Sequence, residues 1–327
     1  MVRPFRWGIL GTGWIANEFA QGLAQLADAK LVAVGSRTIE SAQRFAEQYA
    51  VPHRHASYQA LVSDPNVDLI YVATPNPLHK EHVLLCLEAG KAVLCEKPFA
   101  LNAREAEAMV QVAREKKLFL MEAMWSRFFP LMTKVRSLLA DGVIGEVQML
   151  VADLSIHFDF DPADRRYAPG LGGGALLDLG VYLVSFASMI MGPPAKIASL
   201  AHLGETGVDE QAGIVLGYER GQVSTLYTSI RVDSPVEAIL MGTQGQIRLH
   251  PWWIRPDMLT LTVDGQEPAI IESPFQGNGY QFEAAAVMDC LRAGKLESEL
   301  MPLDETLSIM RTLDALRGQW GLKYPME

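Results

Sequence analysis

The chain has 327 residues, 49% of them apolar and 20% charged, with a formal net charge of −10 and a sequence pI near 5.3. That length is more than one hydrophobic core usually serves, so two domains are expected, and the composition is that of a globular rather than a disordered protein. The acidic balance argues against nucleic acid or an anionic membrane as the main partner, because either needs a basic face. No basic and apolar leader stands ahead of the first strand pattern, and uninterrupted apolar runs stay below the roughly 18–20 residues of a membrane helix. Cys86, Cys95 and Cys290 have no metal-binding spacing, and their odd number provides no disulfide framework. A reducing, cytoplasmic setting with no membrane partner is therefore expected.

In chain order, 6–11 (RWGILG) reads as a strand, 14–27 as a helix, 30–36 as a strand, 38–50 and 58–64 as helices, and 67–74 as a strand. A helix over 77–90 follows, with Pro77 near its first turn and Gly90 as its stop, and then a strand at 92–97. Asn102 is a plausible N-cap for a helix over 102–118, and 119–125 reads as the last strand. Strand and helix in rotation specify a parallel sheet with helices on both faces, the doubly wound fold, over residues 1–122. From 123 the texture changes. After a helix at 128–145, long strand patterns separated by turn signals such as Asp264-Gly265 indicate a mainly antiparallel sheet, with helices returning at 280–294 and 304–318. Residues 123–327 therefore read as an α+β domain.

Between the first strand and first helix lies Gly11-Thr12-Gly13-Trp14-Ile15-Ala16, a G-x-G-x-x-A loop. Gly11 permits the tight turn, Gly13 lets backbone approach a pyrophosphate, and Ala16 lets helix pack on strand. The helix N-terminus then offers unpaired N–H groups to the phosphates. Strand two ends in Gly35-Ser36-Arg37, with no carboxylate to bind a ribose 2′-hydroxyl. Ser36 can donate a hydrogen bond and Arg37 can clamp a 2′-phosphate, which favours NADP over NAD.

Two further groups carry chemistry. Glu96-Lys97-Pro98 ends the strand at 92–97, at the carboxyl edge where doubly wound sheets bind ligands. A lysine there can hydrogen-bond a substrate hydroxyl and stabilise an alkoxide. In the second domain, Gly172 to Gly174 precede an apolar helix bearing Asp178 and Tyr182, four residues apart and so on one face. A tyrosine near a lysine cation has its acidity raised, which suits a proton acceptor. The competing reading is a core tyrosine satisfying Asp178. His53 and His55, with no third ligand close in sequence, read as a loop feature, and no metal is expected.

At "CEKP" and "GGGALLDLGVY" the chain resembles the glucose-fructose oxidoreductase and inositol dehydrogenase family over essentially its whole length. "EAMWSRFFP", "ETGVDE" and "GLKYP" resemble most the branch of dimeric dihydrodiol dehydrogenases and NADP-dependent D-xylose 1-dehydrogenases. The resemblance implies Lys97 and Tyr182 as catalytic pair, assisted by Asp178. It implies that Ala73, Thr74, Pro75, Asn76 and His79 line the cofactor together with Glu96 and Lys97, with His79 near the nicotinamide or substrate. It also implies an aromatic wall of Trp125, Trp253 and Phe282 around a sugar or polyol, and a homodimer formed through the second domain's open sheet. The activity expected is hydride transfer between NADP and a hydroxyl-bearing carbon of a sugar or cyclic diol. A redox-assisted glycosidase and a non-catalytic NADP sensor are the alternatives.

Overall fold

The computed structural model describes residues 3–327, and its backbone falls into two units: the chain up to Trp125 with Gln276–Leu307, and Ser126–Phe275 with Ser308–Glu327. A division at 122/123 does not include this return of residues 276–307 to the first unit.

The first unit is built on a six-stranded parallel sheet. In chain order come β1 (Phe5–Leu10), α1 (Trp14–Leu23), β2 (Ala29–Gly35), α2 (Ile39–Tyr49), β3 (His53–His55), α3 (Tyr58–Val62), β4 (Leu69–Val72), α4 (His79–Glu88), β5 (Ala92–Glu96), α5 (Ala103–Lys116) and β6 (Leu120–Ala123). The order across the sheet is β3-β2-β1-β4-β5-β6, so the strand sequence reverses between β1 and β4. Crevices at such a reversal, outside the carboxyl ends of the strands, are where doubly wound sheets hold ligands. Strands β4 and β5 are buried at every position, which explains their unbroken apolar runs: helices cover both faces. Thr38, Ser57 and Asn102 cap α2, α3 and α5, each side chain accepting from the backbone N–H three residues on. His53 and His55, expected in a loop, form the edge strand β3. Its three polar residues carry no strand propensity of their own; pairing with Ala33–Gly35 makes the strand.

The second unit contains α6 (Pro130–Ala140), β7 (Val147–Ser155), a π-helical turn (Leu176–Gly180) running into α7 (Val181–Met191), and then β8 (Lys196–Leu203), β9 (Asp209–Gly217), β10 (Val223–Ser229), β11 (Ala238–Gly242), β12 (Gly245–Leu249), β13 (Met258–Val263) and β14 (Ala269–Glu272). These eight strands are ordered β14-β13-β12-β11-β7-β10-β9-β8, antiparallel throughout except for β7 against β10. The short β14 has no counterpart in the sequence reading. Inward-facing Leu150, Ile214, Leu216, Leu226 and Leu240 are buried, with α7 and the π turn packed on this sheet. The alternate positions, among them Leu200, Val215, Tyr227 and Met149, are exposed. Helices α8 (Tyr280–Arg292) and α9 (Leu303–Trp320) complete the chain. In the first unit α8 lies on α1, where a side chain at Gly22 would meet Tyr280 Cβ at 2.7 Å, so the glycine admits the close approach.

The helical stretch Pro169–Met191 is the one candidate for a membrane span among the described residues. Its best window has a mean hydropathy of 1.7, enough to cross a membrane by length and composition, although Asp178 and glycines break the apolar run. That window is 83% buried inside the protein, as a core helix is.

Candidate active site

In the first unit the ends of β1, β2 and β4 converge on Gly11. Its N–H donates to Gly35 O at 2.9 Å, Ala73 N–H donates to Leu10 O at 2.9 Å, and its φ of +112° lies in the region that favours glycine. A Cβ there would stand 2.8 Å from Ala73 O. Gly13 is the N-cap of α1; a Cβ on it would meet nothing within 4 Å, no side chain caps the helix, and its first turn holds no acidic residue. The α1 N–H groups thus remain open to an anion, with Thr12 half-buried and Trp14 72% exposed on either side of Gly13. These features fit the pyrophosphate of a dinucleotide.

At the tip of β2, Ser36 is buried, its N–H donating to His55 O at 3.1 Å and its hydroxyl lying 3.4 Å from Thr12 Oγ1. Arg37 is exposed, and its charge is felt by Tyr58. Ala73 and Thr74 are buried, Pro75 is exposed, and Asn76 opens a short 3-10 turn leading into α4. Thr74 Oγ1 and His82 Nδ1 are 2.9 Å apart.

His79 differs from expectation. It is fully buried, with Nε2 at 2.7 Å from Thr74 O and Nδ1 at 2.9 Å from Pro98 O. The ring therefore ties the end of β4 to the segment after Lys97 and presents no free edge to a ligand. Burial lowers its pKa to about 4, so the imidazole is neutral and its single N–H serves one of the two carbonyls.

Lys97 is half-buried at the end of β5, followed by a cis peptide bond to Pro98. Glu96 turns inward: its carboxylate accepts from Tyr71 Oη and, at 3.1 Å, from Lys97 N–H. It holds the strand end and stands 6% exposed. Glu283 of α8 is completely buried, and neither of its oxygens meets a protein hydrogen-bond partner. Burial, reinforced by the Glu96 charge, pushes its pKa well up and keeps it protonated. Sequence reasoning missed Tyr71 and Glu283; a lone glutamate in the apolar stretch 280–288 was the available signal.

In the second unit the glycine triplet meets the chain's own backbone. A Cβ on Gly173 would lie 2.7 Å from Arg166 O, while Gly174 N–H donates to Arg166 O at 2.8 Å and Tyr324 Oη donates to Gly173 O at 2.6 Å. This holds the preceding loop close, and Arg165 from that loop grips Asp178 through two hydrogen bonds, 3.0 and 3.3 Å long. Asp178 sits in the π turn, so the α-helical spacing invoked for Asp178 and Tyr182 applies only from Val181 onward. Both residues are buried to at least nine-tenths. Asp209 supports the turn from below: Oδ2 accepts from Leu176 N–H at 2.6 Å and Oδ1 is left without a partner. Arg165 and Asp209 escaped sequence reasoning because each acts through a fold contact distant in the chain.

The aromatic wall separates by residue. Trp125, half-buried, stacks on Tyr280 with ring centroids 4.7 Å apart and planes 4° from parallel, and Phe282 is half-buried on α8. Trp253 is corrected: it is wholly buried, donates Nε1–H to Asp153 O at 2.8 Å and packs on Phe186, so it belongs to the core. Its neighbour Trp252 is the exposed one, at 53%.

Residues 5–124 match the family model described as oxidoreductase family, NAD-binding Rossmann fold, and 132–248 match its C-terminal domain. The trans-1,2-dihydrobenzene-1,2-diol dehydrogenases of Mus musculus and Homo sapiens are 40% and 38% identical, each covering 98% of both chains. Among solved structures, the aldose-aldose oxidoreductase of Caulobacter crescentus, complexed with glycerol, aligns with a TM-score of 0.88 at 25% identity over 98% of this chain and 99% of that one. A 3-ketoreductase of Actinomadura kijaniata, in complex with NADP and TDP-benzene, aligns with a TM-score of 0.86 at 26% identity over 97% and 98%. With both units matched and the relatives aligned end to end, this chain belongs to the Gfo/Idh/MocA family of oxidoreductases.

Proposed function

We propose that the protein is an NADP-dependent dehydrogenase that oxidises a hydroxyl-bearing carbon of a sugar or cyclic diol. The observation that carries this reading is Lys97 at the carboxyl end of β5, in the same unit as an uncapped α1 N-terminus and a β2 tip free of carboxylate. The dehydrogenase names of the relatives support the substrate class.

Gly11, Thr12, Gly13, Trp14 and Ile15 would hold the pyrophosphate, Ser36 and Arg37 the 2′-phosphate, and Ala73 to Asn76 the nicotinamide half. When bound, NADP supplies the hydride acceptor. The protein's own task is the proton. Lys97 hydrogen-bonds the substrate oxygen and stabilises its developing negative charge, and Tyr182 accepts the hydroxyl proton. Asp178, itself held by Arg165, fixes the substrate's orientation. Trp125 and Phe282 offer apolar faces to the ring carbons, a role that Trp253 cannot fill. His79 and Glu96 act as positioning residues for the loop and the strand end.

A homodimer through the exposed face of the eight-stranded sheet belongs to the same proposal, as does a cytoplasmic setting. Leu200 is 83% exposed on that face, and Val215, Tyr227 and Met149 lie on it too. An apolar face of this extent calls for a cover.

The experiment is reduction of NADP and of NAD in parallel, against D-xylose, D-glucose, myo-inositol and a trans-cyclohexanediol, with Lys97→Met as the blank. NADPH formation with at least one of them, abolished in the blank, is the expected result. Glycoside cleavage without net cofactor reduction, or NADP binding with no turnover of any sugar or diol, would replace this reading.

A further inference from the structure

Next to the β2 tip, where His55 O accepts from Ser36 N–H, the edge of the parallel sheet carries a second cluster. His53 and His55 are two apart on β3, so their side chains leave the strand on one face. The chain returns through α3 and brings Asp64 against them. Asp64 Oδ2 lies 2.6 Å from His53 Nδ1 and 3.0 Å from His55 Nε2, and the three donor atoms all fall within 4.8 Å of one another. The third ligand that sequence spacing did not reveal is thus supplied by the fold.

We propose that His53, His55 and Asp64 bind a divalent transition-metal ion of the Zn²⁺ class. Two imidazole nitrogens and one carboxylate oxygen are a donor set that this class of ion accepts, with water completing the coordination. The carboxylate is fixed in advance by its surroundings: Oδ1 accepts from Asn66 N–H at 2.8 Å and from Asn66 Nδ2 at 3.1 Å, which leaves Oδ2 turned to the imidazoles. Lys91 Nζ binds the carbonyls of Asp64 and Val67, each at 2.8 Å, and so pins the backbone of the same turn. Such supporting bonds orient ligands and tighten metal sites.

Access is built in as well. The Asp64 side chain is 3% exposed, whereas those of His53 and His55 are 37% and 21% exposed, so an ion would enter from solvent and rest on an anchored carboxylate. Around a tetrahedral ion with bonds near 2.0–2.1 Å, neighbouring ligand atoms stand about 3.3 Å apart. The two nitrogen–oxygen separations are shorter and must open, a movement that falls on the half-exposed imidazoles. Strand β3 pairs with β2 alone, which leaves its outer edge unconstrained by the sheet.

The test is equilibrium dialysis of the chelator-treated full-length protein against excess Zn²⁺, with bound metal measured by mass spectrometry and Co²⁺ absorption as a coordination signature. His53→Asn and His55→Gln keep an N–H that can reach Asp64 but remove the imidazole, so the local fold is retained while the ligand is lost. His250→Ala, a histidine held by Thr260 on another sheet, is the control. The expected result is one ion per chain, with affinity lowered at least about tenfold in either ligand variant and unchanged in the control. A parent chain that takes up no Zn²⁺, or ligand variants that bind as the parent does, would overturn the proposal. The measurement needs neither cofactor nor substrate, so it stands or falls independently of the dehydrogenase reading.

Discussion

At the scale of single residues, the proposed preference for NADP turns on one arginine, Arg37. Ser36 is fixed by its backbone bond to His55, and Arg37 follows it into solvent with no carboxylate beside it at the strand tip. A hydrogen bond to a charged group contributes about 1.5–3 kcal/mol, so losing the Arg37 guanidinium should raise the NADP KM at least about tenfold. Arg37→Ala should leave kcat nearly unchanged and barely affect NAD, as steady-state kinetics with both cofactors would show. Equal loss with NAD and NADP would mean that Arg37 does not read the 2′-phosphate. The positions of this residue, the glycine loop and Lys97 were legible in the sequence, because a strand end or a first helical turn has one place in a doubly wound sheet. His79 and Trp253 were not legible in the same way. Both belong to segments correctly located, but which way a side chain faces depends on packing, and packing put the imidazole behind its loop and the indole in the core.

At the scale of the element, the π turn that carries Asp178 rests on a buried acid. Burial raises Asp209 from 3.8 to about 7. The folded protein therefore holds a proton on Asp209 across that interval where the unfolded chain has released it. Stability from this group is complete below about 3.8 and is lost as pH rises through about 7, amounting to at most about 4 kcal/mol at 1.36 kcal/mol per pKa unit. Asp209→Asn keeps an acceptor for Leu176 N–H and cannot ionise. Urea denaturation at pH 5 and pH 8 should show the parent losing distinctly more stability than the variant between the two. Parallel losses would contradict the assignment. His79 acts oppositely: its depressed pKa gives stability that is present above its unfolded value and lost as pH falls through about 4. It is common to both proteins and cancels in the comparison. The helix around this turn was legible from its apolar composition, whereas the π geometry was not, and Asp209, which accepts from Leu176 N–H at its start, comes from β9, distant in the chain.

At the scale of the whole molecule, the order of strands and helices followed from periodicity, because β4 and β5 read as buried and β9 alternates residue by residue. The return of Gln276–Leu307 to the first unit was not legible, since nothing in a helix's own pattern says which core receives it. The outward face of the second sheet carries the quaternary prediction. Leu200→Glu combined with Val215→Glu places charge on that face without touching the buried row, so the fold should survive while self-association fails. Light scattering should report a dimer for the parent and a monomer for the variant, with unchanged circular dichroism. A monomeric parent, or a variant that still dimerises, would contradict a dimer built on this face.

The account rests on direct hydride transfer, with Lys97 and Tyr182 handling only the proton, and an isotope label tests that division most directly. The substrate identified in the cofactor screen would be prepared with deuterium on its hydroxyl-bearing carbon and turned over with NADP, and the reduced cofactor examined by NMR. One deuterium on C4 of the nicotinamide, with Tyr182→Phe slowing turnover roughly 10²–10⁴-fold while NADP still binds, is the predicted result. Deuterium released to water, or a Tyr182→Phe variant as fast as the parent, would contradict it.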